Sequence, residues 1–160
     1  MMRTVNSVKN PRWSDPTGYR IDMEVDFDEL DEIYVPFTAY KNDLEPHSVD
    51  LFNRAIAGEF GEVSDYVPPS DITGSDAVSR MREQRNEKLA ESDYVENPTY
   101  WATLSDEDKS AWTTYRNALR DITNSVTDPV YTCIVALDQD NPEYYTTTYT
   151  PNFEWPVAPT

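Results

Sequence analysis

The stretch from Arg80 to Asp121 constrains this chain more than any other. It holds two segments whose apolar residues recur at helical spacing, separated by a short loop that contains Pro98. In the first, Val78, Met81 and Leu89 form a thin apolar stripe among Arg80, Arg82, Glu83, Arg85 and Glu87. The second opens on Ser105 with Asp108 three residues later, a start resembling a capping box. Trp112, Tyr115, Leu119 and Ile122 follow at intervals of three, four and three, which lines them along one face at the 3.6-residue period. Arg116 and Arg120 lie four apart beside that face. The pattern predicts a helical hairpin with an aromatic seam. It contains no nucleophile–base pair and no metal-ligand spacing.

The residues before it read differently. Tyr19, Ile21, Met23, Val25 and Phe27 alternate with Arg20, Asp22, Glu24 and Asp26, the period-two signature of a half-buried strand. Residues 28–31 form an acidic turn, and Glu32–Tyr40 reads as a second strand. Pro36 makes that strand an edge or a break, because proline cannot donate to a ladder. The two strands suggest an antiparallel hairpin. Residues 1–18 hold Pro11, Pro16 and Gly18 and read as an irregular lead-in with a short strand at Thr4–Val8. Asn42 and Asp43 supply helix-start chemistry, Pro46 falls in the first turn, and Gly58 and Gly61 end the helix. Val49, Phe52, Ala55 and Ile56 are its expected inner face.

After the helical hairpin, Val130–Leu137 and Glu143–Thr150 are strongly β-prone and flank turn chemistry at Asp138–Pro142, so a second β-hairpin is expected. Its first strand is apolar on both faces, more than a two-stranded hairpin buries alone. The fold class is therefore α+β: an N-terminal antiparallel hairpin with a helix, a helical hairpin, then a C-terminal β-hairpin and a Pro/Trp tail. Pro68-Pro69 mark a linker. The expected modules are residues 1–70 (small α+β), 71–123 (helical hairpin) and 124–160 (β-hairpin and extended tail).

Charge narrows the partners. The 160 residues carry a formal net charge of −17, which opposes binding to nucleic acid or anionic lipid and favours solubility and basic partners. Cys133 is the single cysteine, so no internal disulfide forms; its apolar neighbours predict a buried thiol. No stretch approaches the ~20 apolar residues of a transmembrane helix, and the opening residues lack the apolar run of a secretory signal.

Three sets of residues carry a family resemblance. Arg82, Arg85, Asn86, Leu89, Ser92, Asp93 and Tyr94, followed by Trp112, Tyr115, Arg116, Leu119, Arg120, Asp121 and Ile122, resemble the C-terminal part of phage tail fibre assembly chaperones. Trp usually stands where this chain has Tyr94. The closing Trp155-Pro156-Val157-Ala158-Pro159 resembles the family's W-P-x-x-P tail, and Val35–Gly61 resembles N-terminal modules of such proteins. The chain departs from the pattern after Asp121, where about thirty residues with the second β-hairpin intervene.

Conventional active sites are disfavoured. Asp138, Asp140 and Glu143 lack the glycine and the distant glutamate of an EF-hand loop. His47 is the only histidine, read as an exposed helix-start residue, so the usual triads are excluded. The acidic run over residues 26–32 is read as a turn rather than a carboxylate pair. The four glycines form no phosphate cradle. A non-enzyme without cofactor or metal is expected. The candidate partner-binding residues are Trp101, Trp112, Tyr115, Arg116, Arg120 and Trp155, because Trp, Tyr and Arg dominate interface hot spots. The competing reading makes Trp112 and Tyr115 core residues, with the arginines paired to nearby carboxylates.

The resemblance implies a protein that acts in the host cytoplasm during phage assembly and binds a tail fibre or another tail protein, assisting its folding. Neither nucleic acid nor membrane is an expected partner. The alternative is a structural component retained on the virion tail, an adhesin or fibre-tip protein, with Val130–Thr150 mediating attachment or self-association. An acidic DNA mimic is disfavoured, because the acids are scattered among bases rather than arrayed in a double row.

Overall fold

The computed structural model describes residues 3–30 and 33–160. They form five strands and four α-helices in two compact units: Met1–Pro69 with Val135–Thr148, and Ser70–Ile134 with Tyr149–Thr160.

The first unit is built on a three-stranded antiparallel sheet of order β1-β2-β3: β1 Val5–Trp13, β2 Arg20–Phe27 and β3 Tyr34–Tyr40. The alternation in β2 is realised residue by residue, with Ile21, Met23, Val25 and Phe27 all buried. Helix α1, Pro46–Ile56, packs Leu51, Phe52 and Ala55 onto that face. Trp13 and Phe37 close the flanks, meeting Phe52 and Phe27 edge to face.

Three expectations are corrected here. The lead-in is a full strand, so the sheet has three strands. Register shifts between Val5 and Ser7 and between Lys9 and Arg12, with Asn10 at φ 54, break the period-two pattern that would have revealed it. The inner face of α1 is Ser48, Leu51, Phe52 and Ala55, while Ile56 is 52% exposed. The Ser48 hydroxyl accepts the Tyr40 N–H at 3.0 Å, which turns that side of the helix toward β3. His47 is half-buried against the Phe37 ring rather than exposed. The residues 31 and 32, expected in the acidic turn and at the start of the second strand, lie outside the described residues.

Each outer edge of the sheet is blocked in part. Pro36 of β3 has no N–H to offer, and that of Tyr40 is taken by Ser48. On β1, Trp13 donates to the Ser64 carbonyl and Ser64 to that of Pro11. Beside the turn into β2, buried Asp15 pairs with Arg20 and accepts the Thr17 N–H at 2.8 Å.

The second unit contains α2 Gly74–Glu91, a 3-10 turn Asp93–Glu96, the short α3 Pro98–Trp101 and α4 Asp106–Ser125. The helical pair is as expected, but the loop is itself helical. Ala77 and Met81 carry the buried stripe of α2, with Val78 and Leu89 half-buried. Leu119 and Ile122 are buried on α4. The C-terminal hairpin, β4 Tyr131–Leu137 and β5 Tyr145–Pro151, forms a separate two-stranded sheet. Its base is anchored: Tyr131 is fully buried, exchanges backbone bonds with Ile72 and donates its hydroxyl to Gln84 at 2.8 Å. Beyond it, Ile134 and Leu137 are exposed and Cys133 is only half-buried, so the expected burial of the thiol is not realised.

Candidate partner-binding site

Arg116 is the fixed point of the turn between α2 and α4. Its side chain is 6% exposed and its donors are directed at four groups. Nη1 donates to the Leu89 carbonyl at 3.0 Å and to Ser92 Oγ at 2.6 Å, Nη2 to Asp93 at 2.9 Å, and Nε to Glu96 at 3.0 Å. One guanidinium thus caps the negative end of α2 and ties the following 3-10 turn to α4. Glu96 is shared with Arg120 at 3.3 Å. Asn97 then caps α3 by accepting the Thr99 N–H, with Pro98 in its first turn, and Ser105 caps α4 by accepting the Asp108 N–H at 3.1 Å.

This scaffold holds a chain of edge-to-face aromatic contacts. Tyr100 meets Tyr94 with ring centres 5.4 Å apart, Tyr94 meets Trp112 at 6.2 Å, and Trp112 meets Tyr115 at 5.8 Å. Tyr94 and Tyr100 are 54% and 41% exposed. Beside them Glu96, Trp101, Trp112, Thr113, Arg116 and Arg120 line an open groove of about 300 Å³. The lining combines two indoles with two guanidinium groups held by carboxylates, a composition suited to an apolar or aromatic anchor flanked by a hydrogen-bond acceptor.

The six residues singled out in the sequence therefore divide. Trp101, Trp112, Arg116 and Arg120 meet in the groove, and Arg116 is a buried tie rather than an exposed contact. Tyr115 is 8% exposed and turns to another side of α4, where it borders a shallow depression with Ala111, Ala118, Pro156 and Pro159. Burial, with the negative charge of Glu91 adding to it, pushes its phenol above the ordinary value. Trp155 lies apart from the groove. It packs edge to face on Phe153 at 5.2 Å, which in turn meets Tyr131, and Lys88 sits over its indole. Tyr94 is an addition that sequence reasoning left out of the site. Its place two residues after Ser92 was the available signal, but only the turn around Arg116 brings it to Trp112.

Among the described residues no group of three or more His, Cys, Asp or Glu side chains is placed to hold a metal ion, and no helix is long and apolar enough to cross a membrane. A family model described as phage tail assembly chaperone protein matches residues 78–160, just over half of the chain. The matched span takes in the groove, the C-terminal hairpin and the Trp-Pro tail; the N-terminal resemblance over Val35–Gly61 lies outside it. No curated protein and no solved structure matches the chain.

Proposed function

The chain belongs to the phage tail assembly chaperone family, and from that premise we propose that it binds unassembled tail fibre subunits, or those of another tail appendage, through the Trp101–Trp112 groove. A tail assembly chaperone implies binding of tail proteins; the fibre as client and the groove as its seat are our reading. The observation that carries it is the chain of aromatic rings, exposed at Tyr94 and Tyr100, built beside a buried arginine. Large apolar rings left at the surface cost hydration free energy, and a rigid mount lowers the entropy lost when a partner docks. Fibrous β-rich trimers expose apolar strands before they close, and such strands aggregate. An acidic protein holding one of these strands keeps the complex soluble through charge repulsion, without chemistry. The three-stranded sheet has Pro36 and the Tyr40–Ser48 bond interrupting one edge and the Ser64 bridge occupying the end of the other, which disfavours a long added strand there and favours side-chain docking in the groove.

The test is co-expression of the fibre subunit with this chain. The wild-type chain is expected to raise the soluble, trimeric fraction. Trp101→Ala combined with Arg120→Ala is expected to remove that effect while the circular dichroism spectrum of the variant stays unchanged. Equal rescue by the double variant would sink the groove assignment.

A second reading has its own observation. The C-terminal hairpin exposes Ile134, Leu137 and Tyr144, a surface for attachment or self-association if the protein remains on the virion tail. Quantitative mass spectrometry of mature virions separates the two. Absence supports a transient role in the host cytoplasm, whereas a fixed ratio to a tail protein supports a structural component.

A further inference from the structure

The cations of this acidic chain are almost all occupied. Of its 13 lysines and arginines, seven reach a carboxylate within ion-pairing distance. Four more sit over aromatic rings. Among the described residues, Arg82 and Arg85 do neither. Among the described residues the Arg82 side chain makes no polar contact, and that of Arg85 reaches only the side-chain oxygen of its neighbour Asn86, at 2.9 Å.

The helix itself leaves them so. Charged side chains pair along a helix at separations of three or four. No acid stands at those separations from either arginine: Arg82 has Val78, Ser79, Arg85 and Asn86, and Arg85 has Met81, Arg82, Lys88 and Leu89. The acids of this stretch, Glu83, Glu87 and Glu91, repeat every four residues along another ridge of α2. Segregating like charges in this way destabilises a helix that interleaving them would steady. Val78, Arg82, Arg85 and Leu89, spaced four, three and four, share one side, so half-buried apolar residues flank the two guanidinium groups.

We propose that Arg82 and Arg85 are a docking point for a carboxylate-bearing segment of a protein partner, distinct from the aromatic groove. Two guanidinium groups one helical turn apart match a pair of acidic side chains or a terminal carboxylate, each of which arginine grips with two parallel hydrogen bonds. A nucleic-acid backbone, with a charge on every phosphate, is disfavoured because it would run on past the neighbouring glutamate ridge, whereas one or two carboxylates meet only the two guanidinium groups. The proposal does not depend on the groove being the client site.

The experiment titrates the full ¹⁵N-labelled chain with a capped ten-residue Glu–Gly repeat peptide at low salt, with a Gln–Gly repeat as control. The Arg82 and Arg85 Nε–Hε signals and the amides of residues 78–89 are expected to move with the Glu peptide and not with the Gln peptide. The movement is expected to weaken at 150 mM NaCl, and Arg82→Gln with Arg85→Gln to reduce the affinity about tenfold. Arg82 is exposed and Arg85 half-buried on α2, and unchanged signals elsewhere in the spectrum verify that the variant is folded. The proposal is overturned by any of four results: no movement, equal movement with the Gln peptide, movement centred on other cations, or an equal response to a single-stranded oligonucleotide of the same charge, which would make the pair a phosphate site.

Discussion

Arg116 shows how one side chain organises its surroundings. A buried guanidinium is costly to bring out of water, and here its cost is offset by a helix-end carbonyl, a hydroxyl and two carboxylates. Arg116→Ala leaves Ser92 buried without this donor and removes the guanidinium from the Leu89 carbonyl, where only the Ser92 bonds remain. It is expected to lower unfolding free energy by about 3 kcal/mol in chemical denaturation. Arg116→Lys is expected to recover little, because an ammonium cannot reach the same four acceptors. Asp43 offers a pH-dependent counterpart. The Ser48 hydroxyl, then the Glu45 N–H, hold its carboxyl below the usual range. A lowered folded-state value means that the ionised form stabilises the fold above the ordinary aspartate value, and that this contribution fades as pH falls through the folded-state value. Asp43→Asn should therefore lower Tm at neutral pH, and the gap from wild type should close below about pH 4. A gap that persists at pH 2 would remove the carboxylate from the account.

Among the elements, the Trp-Pro tail and the groove are separable. Trp155 packs with Phe153 and Lys88 and does not line the groove. Trp155→Ala is expected to cost about 2 kcal/mol of stability in thermal or urea unfolding. At a temperature where the variant is folded, client binding should be unaltered. Trp101→Ala should do the reverse, since Trp101 is half-exposed on a four-residue helix. A Trp155 variant that is fully stable yet unable to bind would move the docking surface to the tail. The helical pair was legible because Trp112, Tyr115, Leu119 and Ile122 keep a clean 3.6-residue period. The helical turn between the pair was not, because residues 93–101 are too few to display a period. Its shape depends on Arg116, which lies about twenty residues further on.

For the molecule as a whole the dominant number is the charge of −17. Self-repulsion of this size destabilises a folded chain when it is unscreened. Raising ionic strength from 0.01 M to 0.15 M shortens the screening length from about 30 Å to about 8 Å. Tm should therefore rise over that range in a differential scanning experiment. The local ion pairs, most of them exposed, weaken slightly over the same range and limit the gain. A falling Tm would show that the pairs outweigh the repulsion.

Periodicity and composition carried the α+β class, the alternating core face of β2, the helical pair with its aromatic seam and the final β-hairpin. These follow from local rules, since a strand or helix that buries one face must repeat at its own period. Residues 82–122 and the Trp-Pro tail also carried the family resemblance. Other features came from contacts between distant residues. The first strand was hidden because its bulges scramble the alternation that marks a strand. The burial of Arg116 and the separation of Trp155 from the groove had no local signature either. A side chain's exposure depends on what the fold brings against it, and the acceptors of Arg116 and the rings around Trp155 come from other segments of the chain.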